Sequence, residues 1–261
     1  MVIDFLYSLG SIPLLLIGCG LLLVLGIVGV TLTNWLIGKK MLPEEGGAVS
    51  AMIRAVPTIF AVLAAFMAIG SVTTFHKASD LVQKEAVTIG LIRHKLRFLP
   101  GEVASDIQDA LKGYLTATIS TEWPAMKSGN VDTSAGTYLN AIYARAGEYQ
   151  LQTNVQQMAL HNIMDDVDRL FEIHEERVHF AKEALPVLAW FVLVASGLLT
   201  ILSVSLPKTR SLMMQCICAG CVSLSVGLTL FLIFDLDRPF RGKIVVESTP
   251  LIQQLQDITR S

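Results

Sequence analysis

The chain has 261 residues, 52% hydrophobic and 16% charged, where an ordinary soluble domain carries roughly 25% charged residues. Its formal net charge is −2, and it has neither a basic tract nor an acidic tail, which argues against a nucleic-acid partner and against a disordered arm. Charge is concentrated in the middle of the chain while long stretches carry none, a pattern that predicts an all-α membrane protein with one polar domain.

The first apolar run covers about residues 12–38, with Pro13 at its entrance and Lys39-Lys40 at its end. It exceeds the ~20 residues needed to cross a hydrocarbon core of ~30 Å. It is too long for a cleaved signal peptide, and Asp4 is the only side-chain charge ahead of it. A loop holding Pro43, Glu44, Glu45, Gly46 and Gly47 joins it to a second run, about residues 51–75, giving an antiparallel hairpin over residues 1–75. In that second run Arg54 is placed to snorkel to the interface, and Pro57 falls in the first turns.

Residues 76–182 read as a helical, water-facing domain inserted between the two membrane hairpins. Leu81, Val82, Ala86, Val87, Ile89, Ile92 and Leu96 fall on one broad helical face, ended by Pro100-Gly101. A second helix fits residues 102–122, with Val103, Ile107, Leu111, Tyr114 and Leu115 at helical spacing, and residues 123–130 read as a loop. Thr133 or Ser134 is expected to cap the next helix. No proline interrupts the chain from there to Lys182, so the stripe that includes Leu139, Ile142, Leu151, Val155, Met158, Ile163, Val167 and Leu170 predicts helix with little interruption towards the third membrane run.

That third run covers about residues 184–206, with Pro186 near its entrance, and the fourth about 212–234. Pro207, Lys208, Thr209 and Arg210 form a polar turn between them, completing a second hairpin over residues 183–236. Residues 237–261 then form a short tail, in which Leu251, Leu255 and Ile258 predict a small amphipathic helix. With four spans, the N-terminus, the helical domain and the C-terminus share one side of the membrane.

Catalytic signatures are missing. The chain has no HExxH, GxSxG, Walker or Gly-rich phosphate pattern, so it does not read as an enzyme, and no cofactor is expected. Cys19, Cys216, Cys218 and Cys221 all lie in apolar stretches, where they read as small hydrophobes rather than as a metal or disulfide set. His174 and His179 are five residues apart, so they do not share a helix face as a metal pair would. The acidic stretch at residues 165–176 reads as a solvated face with local pairs, Asp165 with Arg169 and Arg169 with Glu172, and a cation site there is the alternative. No metal site is expected.

The membrane runs carry no charge deep in the bilayer, which argues against a proton-coupled pump but not against a channel. The second run is the candidate pore lining: Thr58, Val62, Phe66, Ile69 and Thr73 share one face at three- and four-residue steps. Ile59, Leu63, Met67, Gly70 and Thr74 form an adjacent face, and the alanines, Gly70 and Ser71 permit close helix approach. The alternative for each residue is ordinary packing against lipid or a sister helix.

Two stretches carry a resemblance. One is TTFHKASDLVQKE at residues 73–85, followed by a helix ending in Leu99-Pro100. The other is Asp237-Arg238-Pro239-Phe240-Arg241-Gly242, directly after the last span. With four spans and this length, the chain resembles the bestrophin-like family of prokaryotic membrane proteins, formerly described as a domain of unknown function (DUF4239). The resemblance implies a homo-oligomer, pentameric by analogy, passing inorganic anions through a pore lined by the second span. It also implies an inner-membrane location with the helical domain and both termini in the cytoplasm; the flanking lysines and arginines divide between the two orientations. Val62, Phe66 and Gly70 keep the four-residue spacing of a bestrophin neck but lose its third bulky residue. In the motif itself, Asp237 and Arg238 are expected to pair or cap, Pro239 to turn the chain, Phe240 to anchor, and Gly242 to permit a tight turn. Besides lipid and sister copies, no partner is implied. The rival to a channel is a non-conducting membrane scaffold or sensor that acts through its helical domain.

Overall fold

The computed structural model describes residues 11–37, 45–149, 151–206 and 211–260, and every regular element among them is helical. In chain order these are α1 (Ser11–Ile37), α2 (Glu45–Leu96), α3 (Gly101–Ala117), a π-helical turn (Thr118–Glu122), α4 (Trp123–Ser128), α5 (Gly136–Ala146), α6 (Asn154–Lys182), α7 (Val187–Ser205), α8 (Leu212–Leu236) and α9 (Thr249–Arg260). The Lys39-Lys40 and Pro43-Glu44 readings and the turn at residues 207–210 lie outside the described residues. Glu45, Gly46 and Gly47, expected in a loop, already belong to α2.

Four helices are long and apolar enough to cross a membrane, within α1, α2, α7 and α8, and the protein is a multi-pass membrane protein. α1 alone spans about 40 Å at about 1.5 Å per residue. α2 does not stop where the apolar run ends. No proline lies between Pro57 and Pro100, so nothing breaks the helix until the Leu99-Pro100 step.

The chain divides into two compact units. The first holds Met1–Thr73 and Ala184–Asp237. Here α1 packs along α8, and α7 against both. In lipid no hydrophobic force draws helices together, so contact depends on small residues and internal hydrogen bonds. Ala219, Ser223 and Gly227 recur every four residues on α8 and face α1. A Cβ on Gly26 would stand 2.3 Å from Ser223 Oγ, and one on Gly227 would stand 2.9 Å from Cys19 Sγ. Polar side chains hold the end of the unit near Ser205. Thr33 Oγ1 donates to the Ser205 carbonyl at 2.9 Å, Asn34 Nδ2 donates to Gln215 Oε1 at 3.0 Å, and Gln215 Nε2 donates to the Ser205 carbonyl at 2.9 Å. The α2 segment joins through Phe60 and Ala64, which pack with Leu193, Ile201, Val226 and Ile233.

The second unit holds Thr74–Glu183 and Arg238–Ser261, so the C-terminal stretch that sequence alone sets apart folds with the helical domain. Ile89, Ile92, Ile107, Leu111, Leu139, Ile142, Ile163 and Leu170 fill its core. α9 covers the core with Leu251 and Ile258, and Arg93 reaches it through Gln254 Oε1 at 3.2 Å.

Three local expectations change. Residues 123–128 are helical rather than looped: Pro124 sits in the first turn of α4, where a missing N–H costs nothing, and the helix ends at Gly129 with φ of 82°. Neither Thr133 nor Ser134 caps α5, whose N-cap is Ala135; instead the Ser134 N–H donates to Asp132. The long stripe breaks at Gly147 and restarts at Thr153, which forms a reciprocal capping box with Gln156. Val155 and Met158, one turn into α6, are consequently exposed. A further break at residues 183–186 separates α6 from α7.

Candidate functional site

The membrane part of α2 presents two unlike faces. Phe60, Ala64 and Ser71 are buried in the first unit, and Leu63, Met67 and Ala68 are partly buried beside them. On the other side Thr58, Val62, Phe66, Ile69 and Thr73 are all exposed, Phe66 at 72% and Ile69 at 64%. The five residues therefore form an uninterrupted stripe that the protomer does not cover. Thr58 Oγ1 donates to the Arg54 carbonyl at 2.7 Å and Thr73 Oγ1 to the Ile69 carbonyl at 2.8 Å, so both hydroxyls are satisfied within the helix. The adjacent set splits: Ile59 and Gly70 are exposed, while Leu63, Met67 and Thr74 are half-buried.

The second unit contains a charged cluster that sequence reading did not find. Arg177, Glu85, Glu122, His174 and Tyr114 are all fully buried. Arg177 lies at the centre. Its Nε donates to Glu85 Oε2 at 2.8 Å and its Nη2 to Glu122 Oε2 at 2.9 Å, while its guanidinium stacks 5.4 Å from the Trp123 ring centre. Tyr114 donates its hydroxyl to Glu85. His174 Nε2 lies 3.0 Å from Glu122 Oε1, which also accepts the Ala135 N–H at 3.0 Å. The π-helical turn supplies the placement, since Glu122 is its last residue and points inward with Thr118.

Electrostatics follow from this geometry. Burial opposes the Arg177 charge, but the Glu85 carboxylate beside it holds the guanidinium protonated above its ordinary range. Burial also pushes Glu122 upward; the hydrogen bond from His174 and the Arg177 charge outweigh it and leave that carboxyl below its usual range. Tyr114 is pushed well up, by burial first and then by Glu85. The two carboxylates, the guanidinium and the Tyr114 hydroxyl satisfy one another away from solvent, while His174 Nδ1 is buried without a hydrogen-bond partner among the described residues; chemically the cluster is an internal strut joining α2, α3, the π turn and α6.

A signal for it was present in the sequence. Glu85 sits inside the apolar face defined by Leu81, Val82 and Ile89, and Arg177 follows Leu170 and Ile173 at helical spacing. An acid and a base on two core-facing stripes require each other. His174, read as part of a solvated acidic face, is buried instead, whereas His94, His161 and His179 are exposed. The expected Asp165–Arg169 and Arg169–Glu172 pairs do not form among the described residues; Asp166 instead pairs across to Lys95 at 2.7 Å. Among the described residues no group of three or more His, Cys, Asp or Glu is arranged to hold a metal ion.

The residues 237–242 divide between the units. In the first, Asp237 Oδ1 accepts the Leu185 N–H at 2.8 Å and Oδ2 accepts from Trp190 Nε1 at 3.4 Å, which ties the entrance of α7 to the end of α8. In the second, Pro239 and Phe240 are buried, and the Phe240 ring meets Trp123 edge-on at 5.5 Å. Arg238 is half-buried and its carbonyl accepts the Arg241 N–H at 3.1 Å. The Arg241 guanidinium lies so close over Gly129 that a Cβ there would stand 2.5 Å from Nη1. Gly242 adopts φ of 123°, which a side chain would resist.

Comparison with known proteins agrees with this architecture. Crystal structures of a bacterial bestrophin homologue from Klebsiella pneumoniae share the fold. One point mutant is 16% identical with a TM-score of 0.68, covering 95% of this chain and 99% of its own. A second mutant is 12% identical with a TM-score of 0.71, covering 94% and 99%. The structure phased from zinc is 14% identical with a TM-score of 0.67, covering 94% and 98%. No curated protein matches the chain at a significant level. The family model of the bestrophin-like domain matches residues 20–251, nearly the whole chain, and the protein belongs to the bestrophin-like family.

Proposed function

We propose that the protein is the protomer of an oligomeric ion channel that conducts anions passively along a central pore lined by α2. The observation that carries this reading is the stripe Thr58, Val62, Phe66, Ile69 and Thr73: one face of a membrane helix, exposed along its whole length, opposite a face packed into its own protomer. Facing sister copies around a symmetry axis, the stripe would present hydroxyl-bearing residues at either end and an apolar constriction at Val62, Phe66 and Ile69. The bestrophin-like family and fold support the same assignment, with five copies by analogy. On this reading the helical domain and both termini are cytoplasmic, and the membrane is the inner membrane.

The test is anion flux from proteoliposomes holding the wild type and the Phe66→Ala and Ile69→Ala variants. Chloride flux that changes in rate or selectivity with either variant supports the pore and its lining. Wild-type flux unaffected by both substitutions removes α2 from the pore. A folded oligomer that passes no ion leaves the protein as a membrane scaffold or sensor.

A further inference from the structure

α2 continues beyond the membrane stretch, and its exposed side continues with it. Lys77 comes four residues after Thr73, Asp80 seven after it, and Lys84 seven after Lys77. At about 100° per residue these positions stay in the angular sector of Thr58, Val62, Phe66, Ile69 and Thr73. All three are exposed. They are also spaced at i,i+3 and i,i+4 for pairing, yet among the described residues none of them joins an ion pair. The next residues of the sector, Val87 and Leu91, are apolar and exposed at 60% and 45%. The second unit thus displays a short band of free charge, followed by uncovered apolar side chains, on the outer face of its first helix.

We infer that Lys77 and Lys84 form cationic rings at the domain-side mouth of the pore and set its preference for anions, with Asp80 between them as an opposing element. This rests on the channel reading above and names its selectivity determinants. Two lysines and one aspartate give a net charge of +1 per protomer in this band, repeated once for each subunit around the axis. Like-signed charge in a confined mouth raises the local concentration of the opposite ion and depresses that of its own sign. The membrane stripe holds no charge of its own, so this band would be the first fixed charge an ion meets on leaving it. Because the three side chains are solvent-exposed, their influence falls as the screening length shrinks, from about 30 Å at 0.01 M salt to about 10 Å at 0.1 M.

The experiment is the reversal potential of the purified full-length protein in planar bilayers under a potassium chloride gradient. Wild type is compared with the Lys77→Gln/Lys84→Gln double variant and with Asp80→Asn, each eluting as the wild-type oligomer in detergent. The double variant turns the band's net charge from +1 to −1 and is expected to lower the chloride-to-potassium permeability ratio about sevenfold, as for a mouth potential near half a kT that changes sign. Asp80→Asn is expected to raise the ratio, and the wild-type ratio is expected to fall as salt increases. A conducting wild type whose ratio is unmoved by both variants overturns the rings while leaving the channel intact. Cation preference in the wild type overturns them equally. A wild type that does not conduct removes the channel reading and the rings with it, and is told apart by flux indistinguishable from protein-free bilayers.

Discussion

Arg177→Met removes the centre of the buried cluster while keeping most of the side chain's volume. It leaves Glu85 and Glu122 without the cation they share, both fully buried. Breaking a buried pair by deleting one partner costs about 3–5 kcal/mol, because the remaining charge stays in a poor solvent. Here one cation serves two carboxylates and also stacks on Trp123, which places the loss toward the upper end. For a unit the size of Thr74–Glu183 with Arg238–Ser261, this corresponds to a fall in Tm of about 10–15 °C. The assay is thermal unfolding followed by circular dichroism in detergent. Two further variants or conditions serve as controls. The triple variant Arg177→Met/Glu85→Gln/Glu122→Gln should recover much of the loss, since neutral amides no longer need the cation. The gap between Arg177→Met and wild type should also narrow in acid, as the orphaned carboxylates take up protons. A single variant within about 3 °C of wild type, or a triple variant no more stable than the single one, would refute the view of the cluster as an ion-paired strut.

Other expectations come from the same geometry. Because the Glu122 carboxyl is held below its ordinary range, it contributes stability above the unfolded glutamate value of about 4.3, and that contribution is lost as pH falls through the lowered folded value; Glu122→Gln should flatten the acid limb of a stability profile. Phe240→Ala empties the buried site beside Trp123 and should cost about 3–5 kcal/mol, read as a lower Tm. Gly227→Leu drives a side chain into Cys19 and should prevent α1 and α8 from packing, seen as loss of the folded species on size exclusion. Gly70→Ala, with nothing within 4 Å, should leave folding unchanged.

The spans were legible because lipid imposes one rule: a helix of sufficient apolar length, with no tertiary context to override it. The faces of α2 were legible in the membrane, where Thr58, Val62, Phe66, Ile69 and Thr73 did prove to share an uncovered side. In the water-facing domain, periodicity alone misjudged several residues. Val87 satisfies the helical spacing of its apolar neighbours but lies on their far edge and is exposed. Glu85 lies within that apolar face, and its partners Arg177 and Tyr114 lie 92 and 29 residues away, beyond the reach of local periodicity. The break before α6 was visible in Thr153 and Gln156, a capping pair ahead of an apolar run, but the absence of proline outweighed it. Helix 123–128 was hidden by Trp123-Pro124, since a proline that opens a helix and one that ends it look alike without the turn before it.

The most direct test of the channel account is ion flux from proteoliposomes containing the purified wild-type oligomer, with chloride and potassium gradients imposed separately. Chloride flux well above that of empty liposomes, with weaker potassium flux, is the expected result. Chloride flux no greater than in empty liposomes, from protein shown to be folded and oligomeric, would contradict it.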